Sequence, residues 1–240
     1  QSSLSHEIGV FCGPNIMKSD YGQRNNILTN QGNTGLSIGI VHFFNFSYNA
    51  KKNAFFNEHF KIRTELSFNK IEFSHFGKWV ENRSSLASQQ LLAMKGKTSL
   101  INLGMQLEFS PFKKICDYER NEGSFSPYLS LGLQYSFYNT KNYSTLGELG
   151  TPETTLNKYL SPSDGRPNGF SNENNLVWSL IYGFGTHYKL TRMSDLMVET
   201  RFQFFNSDWI DGLNPNKQTY TENKYNDMQV WLSFGYIYYL

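Results

Sequence analysis

The side chains in this sequence best able to hold a metal or act as nucleophiles are five histidines and two cysteines. His6, His42, His59, His75 and His187 are scattered, and neither an H-x-x-x-H nor a C-x-x-C spacing occurs, so the usual metal-ligand patterns are missing. "GFGTHY", from Gly183, has the glycines of a phosphate loop but no helix after it, which leaves no basis for a cofactor. Charge is arranged more regularly. Lys61, Arg63 and Glu65 stand two apart, as do Glu199 and Arg201, while Glu7, Glu108 and Lys189 occupy comparable positions in other segments. Residues two apart share a face of a β-strand. A row of mixed charges on a buried face has to pair, because an orphaned partner is costly. The reading is therefore a rigid paired network rather than a proton or ion path.

The elements that position these charges are strands. In "FKIRTELSFN", Phe60, Ile62, Thr64, Leu66 and Phe68 fall on one parity, and Lys61, Arg63, Glu65, Ser67 and Asn69 on the other. Eight segments alternate this way, at about 6–17, 34–48, 60–75, 99–110, 128–138, 176–190, 196–205 and 228–240. The last carries Val230, Leu232, Phe234, Tyr236, Tyr238 and Leu240 in one unbroken row, in the manner of assembly signals of outer-membrane barrels. Of the connections, the first, third, fifth and seventh (18–33, 76–98, 139–175, 206–227) form the longer set. Long loops at one end and shorter turns at the other are expected of a transmembrane up-and-down barrel with periplasmic termini. A compact soluble sandwich has no reason to alternate loop length, and loops this long are uncommon in one.

Composition fits that reading. The chain has 240 residues, 22 basic against 20 acidic, with no basic run to suggest nucleic acid. Mean hydropathy is −0.50, and no apolar stretch is long enough for a transmembrane helix. A barrel escapes that test because alternate residues point away from lipid. Aromatic residues make up 16%, including 20 Phe and 15 Tyr. Phe44, Phe46, Tyr48, Phe60, Phe109, Tyr188, Tyr236 and Tyr238 gather at one rim, and Phe68, Tyr135, Phe137, Trp178 and Phe204 at the other. Two aromatic girdles around an aliphatic band mark an outer-membrane wall.

The expected architecture is thus all-β: one domain over 1–240, an eight-stranded antiparallel transmembrane barrel with long extracellular loops and a filled lumen. Phe60, Ile62, Leu66 and Phe68 face lipid, and Lys61, Arg63, Glu65, Glu108, Glu199 and Arg201 line the lumen. Across adjacent strands, Glu65, Glu108 and Glu199 are expected to pair with Arg63, Arg201 and Lys61. Small residues such as Gly39, Gly132 and Gly185 suit a crowded lumen. The competing reading, a soluble lipocalin-like barrel of reversed polarity, would have to seat the aromatic residues of eight strands in one small interior. The chain starts at Gln1 without a signal peptide, as an exported protein does after cleavage and as a trimmed cytosolic one does too.

Function is less sharply written. An outer-membrane enzyme would need an acid–His arrangement near the outer rim, for which His75 with Asp208 or Asp211 is the candidate; no enzymatic activity is expected. "SSLASQQLLAMK" is either a short helix over the barrel mouth or a plain loop. Cys12 lies on the lipid-facing parity and Cys116 in a periplasmic connection, too far apart to bond. Cys116 is either a reduced bystander or available for an intermolecular disulfide. The connection "PFKKICDYERNEGSFSP" carries Lys113, Lys114, Cys116, Asp117, Tyr118 and Arg120, a mixture suited to a protein contact. Lys51, Lys52 and Phe55 lie on the same side and extend it.

Several stretches, "HEIGVF", "NTGLSIGIVHFFNFSYN", "NEHFKIRTELSFNK", "HFGKWV", "GMQLEFSPF" and "SPYLSLGLQYSFYN", together resemble the PorG-like barrels. These are small outer-membrane proteins of the type IX secretion (gliding-motility) apparatus of Bacteroidota. The resemblance covers most of the chain and implies a non-enzymatic accessory that contacts a periplasmic ring-forming lipoprotein through its inner turns. The rival is a free-standing outer-membrane barrel that binds or modifies a lipid or small ligand.

Overall fold

The computed structural model of the protein describes residues 4–23, 26, 30–47 and 54–240. Eight strands, β1 (Ser5–Lys18), β2 (Thr34–Asn45), β3 (Phe60–Ser74), β4 (Met94–Phe109), β5 (Phe125–Ser144), β6 (Glu173–Thr191), β7 (Ser194–Phe205) and β8 (Met228–Tyr239), run in sequence order. Each pairs antiparallel with the next, and β8 returns to β1 in register Val10↔Tyr236, closing the barrel. All eight alternating segments form strands, β2 ending at Asn45, and Tyr48 lies outside the described residues. Connections 19–33, 75–93, 145–172 and 206–227 lie at one end, the long-loop end. Connections 46–59, 110–124 and 192–193 lie at the other, where β1 begins and β8 ends.

The outward parity is apolar and exposed: Leu36 at 65% and Leu103 at 64%, with Ile38, Ile101, Leu131 and Leu180 beside them. A continuous belt of this kind exceeds what a monomer leaves facing water. At the short-connection end the belt closes in aromatic contacts, Phe60 stacked on Phe109 (4.7 Å between ring centroids) and Phe125 tilted against Tyr188 (4.9 Å). Phe68, Tyr135, Phe137, Trp178 and Phe204 are exposed along the other margin.

Towards the long-loop end the faces exchange character. Along β3, Leu66 and Phe68 point out while Ser67 and Asn69 are buried; two residues later Lys70 and Glu72 point out while Ile71 and Phe73 are buried. Lys97 outside and Leu100 inside repeat the exchange on β4, as do Lys141 and Tyr138 on β5. The strand tops therefore have the polarity of a water-soluble barrel. This is why β4 starts at Met94 rather than Ser99 and β5 runs on to Ser144 rather than stopping at Tyr138: alternation continues, but the apolar parity breaks. Loop residues Tyr21, Trp209, Ile210 and Leu213 pack onto Ile71, Phe73, Leu100 and Tyr138 to form an apolar cap.

Glycines on the inward face leave space that larger neighbours fill. A side chain at Gly185 would meet the Val198 carbonyl oxygen at 2.4 Å and the Tyr128 ring at 2.8 Å, and one at Gly39 would meet Phe11 at 2.6 Å.

Short helices complete the ends: α1 (Ala54–His59), α2 (Leu86–Ala93), α3 (Ile115–Arg120) and α4 (Asn157–Leu160). The stretch 84–95 is thus a helix flanked by short extensions, capped where the Ser88 N–H donates to Ser85 Oγ at 3.2 Å. Among the described residues no helix is long and apolar enough to cross a membrane, which leaves β-strand crossing open.

Candidate functional site

The inward charges form two layers. At mid-lumen, β3 presents Arg63-Thr64-Glu65 and β7 presents Glu199-Thr200-Arg201. Both strands leave the short-connection end and stand on opposite walls, so the reversed tripeptides set each arginine level with a carboxylate. Arg63 Nη1 donates to Glu199 Oε2 at 2.6 Å and Arg201 Nη1 to Glu65 Oε1 at 2.6 Å. Each arginine also reaches the carboxylate of its own strand, Arg63 Nη2 to Glu65 Oε2 (2.9 Å) and Arg201 Nη2 to Glu199 Oε1 (2.7 Å). Tyr128 Oη donates to Glu199 Oε2 at 2.8 Å, and Gln106 Nε2 to Glu65 Oε2 at 3.2 Å. The guanidinium of Arg201 lies 4.9 Å from the Trp231 ring centre, and that of Arg63 5.6 Å from Phe11. Two cations and two anions, all buried, neutralise one another.

Nearer the short-connection end, Lys61 Nζ donates to Glu7 Oε1 at 2.7 Å. Glu108 pairs with His187 at 2.8 Å, and Lys189 lies 3.1 Å from Asp195. Tyr239 Oη also donates to Asp195, at 2.7 Å, and the Lys189 ammonium sits 3.4 Å from the Tyr239 ring centre. The expected pairing across adjacent strands is corrected on two counts. The quartet's ion pairs span the lumen or run along one strand, because the neighbours directly opposed to its carboxylates are small, as in Glu65↔Gly104 and Glu199↔Gly185, whereas Lys189–Asp195 does join opposed neighbours of β6 and β7. Lys61 takes Glu7, and Glu108 takes His187, so neither belongs to the central quartet. The signal available in the sequence was the mirrored pair RTE and ETR.

Helix α3 closes this end. Tyr118 is 1% exposed and Ile115 is buried beside it, with the Lys189 ammonium 5.7 Å from the Tyr118 ring centre. Tyr118 therefore does not belong to a partner-binding surface, contrary to the sequence expectation: the helix turns it inward as a plug. Lys113, Lys114, Asp117 and Arg120 remain exposed, as does Phe112 at 79%. Lys114 Nζ donates to Glu58 Oε1 of α1 at 3.0 Å, and His59 Nδ1 lies 2.6 Å from the Ser110 carbonyl oxygen. The two connections thus form one surface. Phe55, 62% exposed, rests 4.8 Å from the His59 ring. Cys116 is half-buried, its Sγ donating to the Ser47 carbonyl at 3.3 Å, and both cysteines are free thiols. Lys51 and Lys52 lie outside the described residues.

At the long-loop end the acid–His candidate does not form. His75 Nδ1 accepts the Gly22 N–H at 3.1 Å, whereas Asp211 accepts the backbone N–H groups of Asp20 (2.6 Å) and Leu213 (2.7 Å). Asp208 pairs with Lys217 at 3.4 Å. These aspartates order loops. Among the described residues no group of three His, Cys, Asp or Glu residues is arranged to hold a metal.

No protein-family model matches the chain, and no curated protein matches its sequence. Solved structures do. The chain is similar to Neisserial surface protein A at 12% identity, over 99% of this chain and 97% of that one, with a TM-score of 0.50. It is also similar to a major outer membrane protein from Thermus thermophilus, at 10% identity over 100% of both chains with a TM-score of 0.50. At such identity the likeness shows the fold alone: a closed eight-stranded barrel of the outer-membrane kind.

Proposed function

We propose that this chain resides in a bacterial outer membrane as a non-conducting, non-enzymatic barrel. In this reading it serves the type IX secretion machinery as a structural accessory and meets a periplasmic ring-forming lipoprotein through its short-connection end. The observation that carries the structural role is the neutral, fully buried quartet Arg63, Glu65, Glu199 and Arg201, backed by the Tyr118 plug. A lumen so filled is a strut rather than a conduit. The secretion assignment rests on the sequence resemblance to PorG-like barrels. Supporting the contact, α1 and the α3 connection merge into one face that offers Phe112 and Phe55 among Lys113, Lys114, Asp117 and Arg120. Exposed aromatics within mixed charge are what protein interfaces favour.

The test is co-purification from detergent-solubilised native membranes. The natural chain should bring down a periplasmic lipoprotein ring, and Phe112→Ala with Arg120→Glu should release it while the barrel still migrates as a folded species. Non-reducing electrophoresis adds a second reading through Cys116. A heavier band, absent in Cys116→Ser and after reduction, marks a disulfide to the partner. Ring association unaltered by all three substitutions removes this face from the interface.

A further inference from the structure

At the opposite end the loops enclose a cleft of about 740 Å3 that the proposed role does not use. His75, Tyr159, Leu91 and Asp20 are its buried lining, while Trp79, Lys158 and Glu222 stand nearer solvent. His75 is only 4% exposed. Its Nδ1 accepts the Gly22 N–H, so in the neutral ring the proton resides on Nε2. Burial, together with the positive charges of Lys158 and Lys95, holds the imidazole pKa down to about 3, which keeps the ring neutral. Nε2–H is therefore a donor, and among the described residues it has no acceptor. Buried polar groups are nearly always satisfied, and an exception asks for an explanation. An occupant of the cleft that supplies an oxygen acceptor is one.

The remaining lining narrows the chemistry. Trp79 keeps 60% of its surface exposed beside the cleft, with the Lys78 ammonium 4.7 Å from its ring centre. Tyr159 and Tyr220 are bridged by Lys158, whose Nζ lies 5.9 and 5.4 Å from their ring centres and donates to Glu222 Oε1 at 2.9 Å. The two lysines of the lining, Lys78 and Lys158, are matched in number by Asp20 and Glu222, so with His75 neutral the formal charges cancel. No arginine among the lining residues offers a fork for phosphate or sulfate. A bare acyl chain would leave the converging polar groups unpaired. What fits is a compact, uncharged molecule with one apolar ring face and many hydroxyls.

We infer that the long-loop cleft binds a neutral pyranose at the end of a glycan, its ring face against Trp79 and a hydroxyl accepting from His75 Nε2. This makes the exposed end a recognition surface, independent of the contact at the other end.

The experiment uses the full chain in detergent on an array carrying neutral, sialylated, sulfated and phosphorylated glycans, followed by calorimetric titration of the retained compounds. Expected is retention of neutral pyranosides. Trp79→Ala and His75→Phe should each weaken binding at least tenfold. Both variants should keep heat-modifiable migration, and Trp79, being largely exposed, should do so even where the His75 variant fails to fold. Retention of no neutral glycan overturns the proposal, as does equal retention by natural protein and Trp79→Ala. Retention confined to sulfated or phosphorylated glycans, or displacement of a fluorescent fatty acid with no glycan bound, also overturns it by replacing the ligand class.

Discussion

A single side chain in this lumen carries consequences well beyond its own contacts. Arg63 reaches Glu199 across the barrel and Glu65 on its own strand, with its guanidinium sealed from water. Arg63→Met leaves Glu199 and Glu65 with only Arg201, an excess buried negative charge, and should destabilise the folded barrel by about 3–5 kcal/mol. Adding Glu199→Met restores neutrality around Glu65 and Arg201, and most of that loss should return. Urea titration of the folded and unfolded gel species measures both; additive losses would refute the pairing. His75 sets a second residue-scale expectation. The unfolded chain takes up a proton near pH 6.5, whereas the folded cap holds His75 neutral down to about pH 3. Stability is thus fully present above pH 6.5 and declines as pH falls towards 3, by about 2 kcal/mol between pH 7 and pH 5. The charges that act on His75 are those of Lys158 and Lys95, the Tyr21 and Tyr159 rings lie 4.6 and 6.1 Å from its own, and Asp20, Lys78 and Glu222 line the same cleft. Burial holds the two tyrosines neutral, and the hydrogen bond from Lys158 holds the Glu222 carboxyl below its ordinary range. Protection factors of cap amides, taken relative to the intrinsic exchange rate at each pH, should fall as pH drops in the natural protein and stay flat in His75→Phe.

At the scale of the strand, the exchange of faces divides each long element into two parts. On β4, Leu103 points outward in the apolar belt, whereas Ser99 and Lys97 point outward above it. Leu103→Arg should cost about 2–4 kcal/mol or block insertion, as arginine does near a bilayer midplane. Ser99→Arg should insert normally, since its neighbours already face a polar medium. Gln106→Arg, on the inner face beside Glu65, should be limited by space rather than by lipid. Equal insertion of Leu103→Arg and Ser99→Arg into vesicles would remove the belt assignment. The inner face has its own test at Gly185, where Tyr128 lies across the missing side chain. Gly185→Ala should displace Tyr128 from Glu199 and lower the thermal midpoint of heat-modifiable migration; the backbone oxygen of Val198, at 2.4 Å from the added carbon, cannot easily yield.

For the whole molecule, the stacked layers predict a closed pore. From the short-connection end upward come the Tyr118 plug, the Lys61–Glu7 and Glu108–His187 pairs, the arginine–carboxylate quartet and the apolar cap. Purified protein in planar bilayers should give no steady single-channel conductance. Stepwise conductance in the natural protein would contradict the plugged lumen.

The number of strands, their order and the parity that meets the outer medium along the belt could be read directly from the residues, because period-two alternation is local and survives without knowledge of any neighbour. The unequal connections and the charged positions of the lumen were legible there too. Pair partners were not. Arg63 and Glu199 are separated by 136 residues, and only barrel closure, with its register, sets them level on opposite walls. Tyr118 reads as a surface residue of a charged turn until the helix turns it under the barrel. The cleft around His75 gathers residues from four long-loop segments and does not exist in any one of them. Such sites are products of closure: a barrel of fixed strand number has one interior, and what meets there follows from its circumference rather than from neighbouring residues in the chain.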